Sequence, residues 1–158
     1  MSYTVKSPLD ADAQKIVGEA LQGTLVDLLD LTLLAKQAHW NLVGRRFRSV
    51  HLQLDEVVLA ARNYSDTVAE RLVTIGTPAD GRAATVAKES GLPQLSEGWL
   101  GDDAVIASFV DIHGAIIDRV RKRITAVEHE DPVTMDLLVQ ISADLEKAHW
   151  MWQAENIS

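Results

Sequence analysis

The chain contains no cysteine, which excludes disulfides, thiolate metal sites and a cysteine nucleophile while leaving the redox compartment open. Proline is scarce, with four in 158 residues, and 47% of the residues are hydrophobic against 24% charged, so the sequence is neither disordered nor low in complexity. No stretch approaches 18 uninterrupted apolar residues, and no basic segment leads into an apolar run at the start. Neither membrane insertion nor secretion is signalled, and the expected compartment is the cytoplasm. Clustered cations are missing from both ends of the sequence. The opening MSYTVKSPL holds one lysine, the closing WQAENIS holds none, and the formal net charge is −8. Direct DNA binding through a basic tail is therefore disfavoured. The length fits one domain over residues 1–158.

What the chain does have is helical periodicity. Apolar or small residues recur at Val17, Leu21, Leu28, Leu31, Ala35 and Ala38, at spacings of three, four or seven, which predicts an amphipathic helix over about 12–40. Asn41–Gly44 favours a turn. A second helix is expected over about 46–75, ending at Gly76 and Pro78. Residues 77–101 form a connection rich in glycine and proline, with RAATVAK as a short helix inside it. A third helix is expected over about 102–129, its inner face built from Ile106, Phe109, Val110, Ile116, Ile117, Val120, Ile124 and Val127. Asp131–Pro132 matches an N-cap followed by proline at the first helical position, opening a fourth helix over about 132–156. Two tight helical hairpins joined by one long crossover give an all-α fold, the ferritin-like type of four-helix bundle.

The stretch from His39 to Glu70 carries the candidate chemistry. His39, His51, Asp55, Asp66 and Glu70 are all ligand types for a divalent metal, although singly each suits a cap or a solvated surface. With His51 at zero, Asp55, Asp66 and Glu70 fall at about 40°, 60° and 100° around one helix. They share a face. His39 and His51 are equidistant from Arg45 and should face each other across the hairpin. Asp55 and Asp66, however, are eleven residues apart, or about 16 Å along the axis, too far for one ion at ligand distances of about 2 Å. A second, antiparallel copy of the helix about a two-fold axis would set His51 and Asp55 opposite Asp66 and Glu70 of its neighbour. Ala60–Ala61, at the midpoint, would permit close approach. Imidazole and carboxylate without thiolate suit iron, zinc, manganese or cobalt, and iron is preferred only if redox is the function. Glu146–His149 is a single Glu-x-x-His pair with no counterpart and reads as coincidence. His113 and His129 read as surface or packing residues.

AHWNLVGRRFRSVHLQLDE followed by SDTVAERLVTIG resembles, in order and spacing, the ferroxidase motif of the Dps (DNA-binding protein from starved cells) branch of the ferritin superfamily. The likeness in helix layout extends over nearly the whole chain. It implies a hollow homododecamer with iron-oxidising centres at two-fold interfaces, His39, His51 and Asp55 coming from one subunit and Asp66 and Glu70 from the next. It also implies that Trp40 donates electrons beside the site, a role compatible with simple packing at a helix end. Asp131 and Asp136 resemble acidic residues lining three-fold iron-entry pores, and equally suit a cap and a dipole partner. The expected function is oxidation of Fe(II), preferably by hydrogen peroxide, and storage of the Fe(III) mineral, protecting against oxidative stress. The rival expectation is a nucleoid-associated DNA-binding protein with incidental metal affinity. The missing basic tail departs from the pattern on which DNA binding in this family often depends, and twelve chains at −8 each repel DNA unless divalent cations bridge them.

Overall fold

The computed structural model describes residues 5–157; residues 1–4, part of the opening segment weighed above for basic charge, and residue 158 lie outside it. Helix α1 spans Ala11–Asn41, started by Asp10, whose carboxylate accepts the Ala13 N–H at 2.9 Å. Helix α2 spans Phe47–Thr74, α3 Ala83–Glu89, α4 Asp102–Val127 and α5 Pro132–Glu155. Their ends lie within two residues of those expected, the starts of α4 and α5 coinciding. The hairpins α1/α2 and α4/α5 pack chiefly through α1 against α4, with α3 lying on α1. One apolar core runs between them, from Val17, Leu21, Leu28 and Leu31 of α1 to Phe109 and Ile116 of α4 and Trp152 of α5.

Two features of the connections carry no periodic signature. Leu42–Val43 (β1) and Leu100–Gly101 (β2) pair as a minimal parallel bridge, Leu42 with Leu100 and Val43 with Gly101. The end of the crossover is thereby tied to the turn of the first hairpin. Gly44 has φ +139°, and a Cβ there would strike the Asp102 carboxylate; that carboxylate instead accepts the Arg46 N–H at 2.7 Å. The Arg46 amide bond is the main reason the Asp102 carboxyl sits below its ordinary range. Further back, the crossover is pinned to α1 by Gln22, which exchanges two hydrogen bonds with the Asp80 backbone. Asp30 pins it again, accepting from Ser90 and Gln94.

Asp27 of α1 has no exposed surface, and its Oδ2 accepts Arg119 Nε at 2.8 Å and Arg123 at 2.6 Å, both from α4. A buried charge is tolerated when paired, and removing one partner strands the others in a medium of low dielectric. Asp27→Ala should therefore cost about 3–5 kcal/mol of stability, and Arg119→Ala, whose side chain is a third exposed, clearly less. Chemical denaturation of the two variants beside the parent checks the order; an Asp27→Ala chain as stable as the parent would remove Asp27 as the weld between α1 and α4.

Candidate metal centre

His39 sits in the last turn of α1, Asp55 in the third turn of α2 and His51 in its second, and the hairpin brings them together. The two imidazoles stack with centroids 3.6 Å apart and planes 20° from parallel. His39 Nδ1 lies 3.0 Å from the His51 carbonyl oxygen, and His51 Nδ1 lies 3.0 Å from the His39 carbonyl oxygen. A carbonyl oxygen only accepts, so in each contact Nδ1–H is the donor and the neutral ring keeps its lone pair on Nε2. The backbone therefore sets both tautomers, as an outer partner does for a metal-binding histidine. Phe47 covers the other face of His51 at 4.9 Å between centroids. His39 is 8% exposed, while His51 remains partly open.

Asp55 completes a group in which one ligand atom from each of His39, His51 and Asp55 lies within 4.8 Å of the others, the only such group among the described residues. Lys36, one helical turn before His39, donates to Asp55 Oδ1, and His39 Nδ1 is 3.4 Å from the same oxygen. Hydrogen bonding to the Lys36 ammonium is the largest influence holding the Asp55 carboxyl below its ordinary range; His39 and His51 assist. A divalent ion taking Asp55 meets the charge of this ammonium at the same carboxylate. Sequence reasoning missed both Lys36 and the Phe47 stack. Lys36 was detectable in principle, because position i−3 shares the face of His39.

Asp66 and Glu70 stand exposed further along α2 and do not join this group. The face they occupy is partly apolar, with Leu52, Leu59 and Val73 all exposed, Leu59 by 64%. On α1, Leu33 and Trp40 flank Lys36 at i−3 and i+4 and are also exposed. The expectation that Ala60–Ala61 form the central contact needs correction. Ala61 is buried in the chain's own core and Ala60 lines a cavity toward α5; the face midway between Asp55 and Asp66 carries Leu59 and Arg62, because neighbouring residues diverge by about 100°.

The other candidates separate as follows. Asp131 is 3% exposed and caps α5, accepting from Val133 N at 3.2 Å, from Arg71 at 2.6 Å and from Thr134. Burial pushes its carboxyl up, yet the bonds from Thr134, Arg71 and Val133 outweigh this and hold it below its ordinary range. Its oxygens are committed within the fold. Asp136 is exposed and, among the described residues, accepts only from Gln140, beside a groove that Glu70 also lines. Glu146 is taken by Arg121 at 2.8 and 2.9 Å and by Ser142. His113 is buried in the core and His129 is exposed.

Comparison with known proteins agrees with this architecture. A family profile for the ferritin-like domain matches residues 18–156. The DNA protection during starvation protein of Agrobacterium fabrum is 32% identical over 154 residues, taking in 97% of this chain and 95% of that one. DNA protection during starvation protein 2 of Deinococcus radiodurans is 37% identical over 143 residues, and there the match covers 90% of this chain but 59% of the relative. The tetragonal form of Mycobacterium smegmatis Dps superposes with a TM-score of 0.92 at 32% identity, covering 100% of this chain and 95% of that chain. With the bundle, its crossover and the similarity running nearly end to end, the chain belongs to the ferritin-like family and, within it, to the DNA-protection-during-starvation (Dps) proteins.

Proposed function

We propose that this protein takes up Fe(II) as substrate, oxidises it, preferably with hydrogen peroxide, and stores the Fe(III) product inside a homododecameric shell. The observation that carries this reading is the grouping of His39, His51 and Asp55, one ligand atom of each lying within 4.8 Å of the others, with the two histidines clamped reciprocally by their backbones. Such a donor set fits a first-row divalent ion, and its anionic part favours the higher charge of the oxidised product. Three ligands from one chain leave positions open. Asp66 and Glu70 of a second chain fill them in this reading, brought there by an antiparallel contact of α2 with its copy. The exposed Leu52 and Leu59, with Leu33 and Trp40 nearby, support such a contact, since apolar faces of this kind are covered in assemblies. One peroxide molecule takes an electron from each of two Fe(II) ions together with two protons, giving two Fe(III) ions and two waters. Both Fenton reagents are consumed. In this reading Trp40, exposed and next to His39 in sequence, reduces stray one-electron oxidants.

Asp136 is the better candidate for guiding cations into the shell, since it faces solvent while Asp131 holds α5 to α2 through Arg71. The relatives' name also admits protection by direct DNA binding. The net charge of −8 favours protection by removal of iron and peroxide instead. A gel shift at physiological salt with chelator present should show no retardation of duplex DNA, while a separate assay at the same salt without chelator shows peroxide-driven iron oxidation. The opposite pair of results would select the DNA-binding reading with incidental metal affinity.

Three further outcomes test the site. His51→Ala/Asp55→Ala and Asp66→Ala/Glu70→Ala chains should each lose rapid oxidation alone, yet regain it when co-assembled, because every interface between unlike chains then retains one complete centre of its two. Verified mixed shells that stay inactive would rule out the shared centre. Lys36→Ala should tighten binding of a redox-silent probe such as Zn(II) by roughly threefold to tenfold, read by calorimetry, since no ammonium then competes for Asp55. Asp136→Asn should slow iron uptake without changing stability, whereas Asp131→Asn should lower stability by about 1–3 kcal/mol through loss of a buried cap and ion pair; thermal unfolding and stopped-flow uptake distinguish them.

A further inference from the structure

A cavity of about 290 Å³ that the metal chemistry does not use opens between α2 and α5. It exists because the two hairpins meet chiefly through α1 and α4, and because Ala60, Ala61 and Ala148 leave the space beside α2 and α5 unfilled. Its rim on α2, at Gln53, Ala60 and Tyr64, lies about 120° or more around the helix from Asp66. It therefore lies on a different side of α2 from Asp66.

Two of the residues that line it, Trp152 and His113, carry polar groups and are buried. Trp152 has no exposed surface, and its indole N–H has no acceptor in the described chain. A buried donor left this way costs free energy that an occupant with an acceptor recovers. His113, equally buried, donates Nδ1–H to the Phe109 carbonyl at 2.9 Å, so its lone pair is on Nε2. Burial is the main cause that lowers this imidazole to about 4, so it is neutral at neutral pH. The two rings are 6.3 Å apart between centroids.

One hydroxyl group matches both, accepting from the indole and donating to the imidazole; a carbonyl serves only the first and an ammonium only the second. The charged residues that line the cavity, Glu56, Asp144 and Lys147, come from the exposed part of α2 and α5, and the Asp144 carboxylate is already occupied by the Tyr64 hydroxyl. The apolar walls disfavour any charged occupant. We propose that this cavity binds a small neutral molecule with an apolar body and a hydroxyl group, an alcohol or a phenol, its oxygen held between Trp152 and His113.

Benzyl alcohol and toluene, alike in shape except for the hydroxyl, are suitable probes of the purified full chain. Saturation-transfer NMR and calorimetry should show saturable binding of benzyl alcohol at one site per chain, with toluene at least about tenfold weaker. Trp152 is the one buried tryptophan, the other three being exposed, so the short-wavelength part of the emission should respond. Ala60→Leu and Ala148→Leu fill the space from opposite walls, and each should weaken binding at least about tenfold with helicity unchanged; Ala60 is exposed enough to accept the larger side chain without loss of fold. His113→Phe should abolish the preference for the alcohol. No saturable binding below about 10 mM, equal binding of the two probes, insensitivity to both filling variants, or a crystal soaked in benzyl alcohol that shows only water between Trp152 and His113 would each overturn the proposal.

Discussion

Two N–H donors on neighbouring helices, each satisfied by the other helix's backbone, fix the most consequential geometry in this protein. The bonds between His39 and His51 work only when α1 and α2 are aligned to within a fraction of a turn, because each ring must reach the carbonyl of its partner. A slip of one residue would rotate each ring by about 100° and break both bonds. Hairpin register, imidazole tautomer and ligand direction are thus one constraint. The bridge between Leu42 and Leu100 and the bond from Arg46 to Asp102 hold the intervening turn in the conformation that makes this alignment possible.

The helices were legible because they are long and periodic, and the facing of His39 and His51 followed from equal distance to the turn. The eleven-residue gap between Asp55 and Asp66 was legible for the same reason, as rise per residue is nearly constant. Other features were not. The β1/β2 bridge involves two residues a side, too few for any alternation to register. The Ala60–Ala61 assignment misjudged rotation: small residues suggested a close contact, but adjacent positions on a helix face different ways, and only the packed fold shows which way is inward.

Asp131 shows a different limit. An aspartate before proline reads as a cap from local sequence, and a resemblance adds a pore role. Whether the side chain is available depends on Arg71, which is 60 positions away in the chain and carries no local signal. Lys36 is a partial case: its helical spacing puts it on the face of His39, but its bond to Asp55 is visible only when the two helices are side by side. The polar partners of candidate ligands, more than the ligands themselves, are what the fold adds.

The way the crossover is fastened has a practical side. It is stitched to α1 at Asp80, Ser90 and Gln94 and closed on the hairpin turn at Leu100, but between these points Gly98 has φ +87° with no atom near its Cβ position, and Trp99 is exposed. The short span from Ser96 to Gly98 is slack cable between two anchors. A fluorophore or affinity handle spliced there would leave the alignment of the histidine pair under the same tension as before.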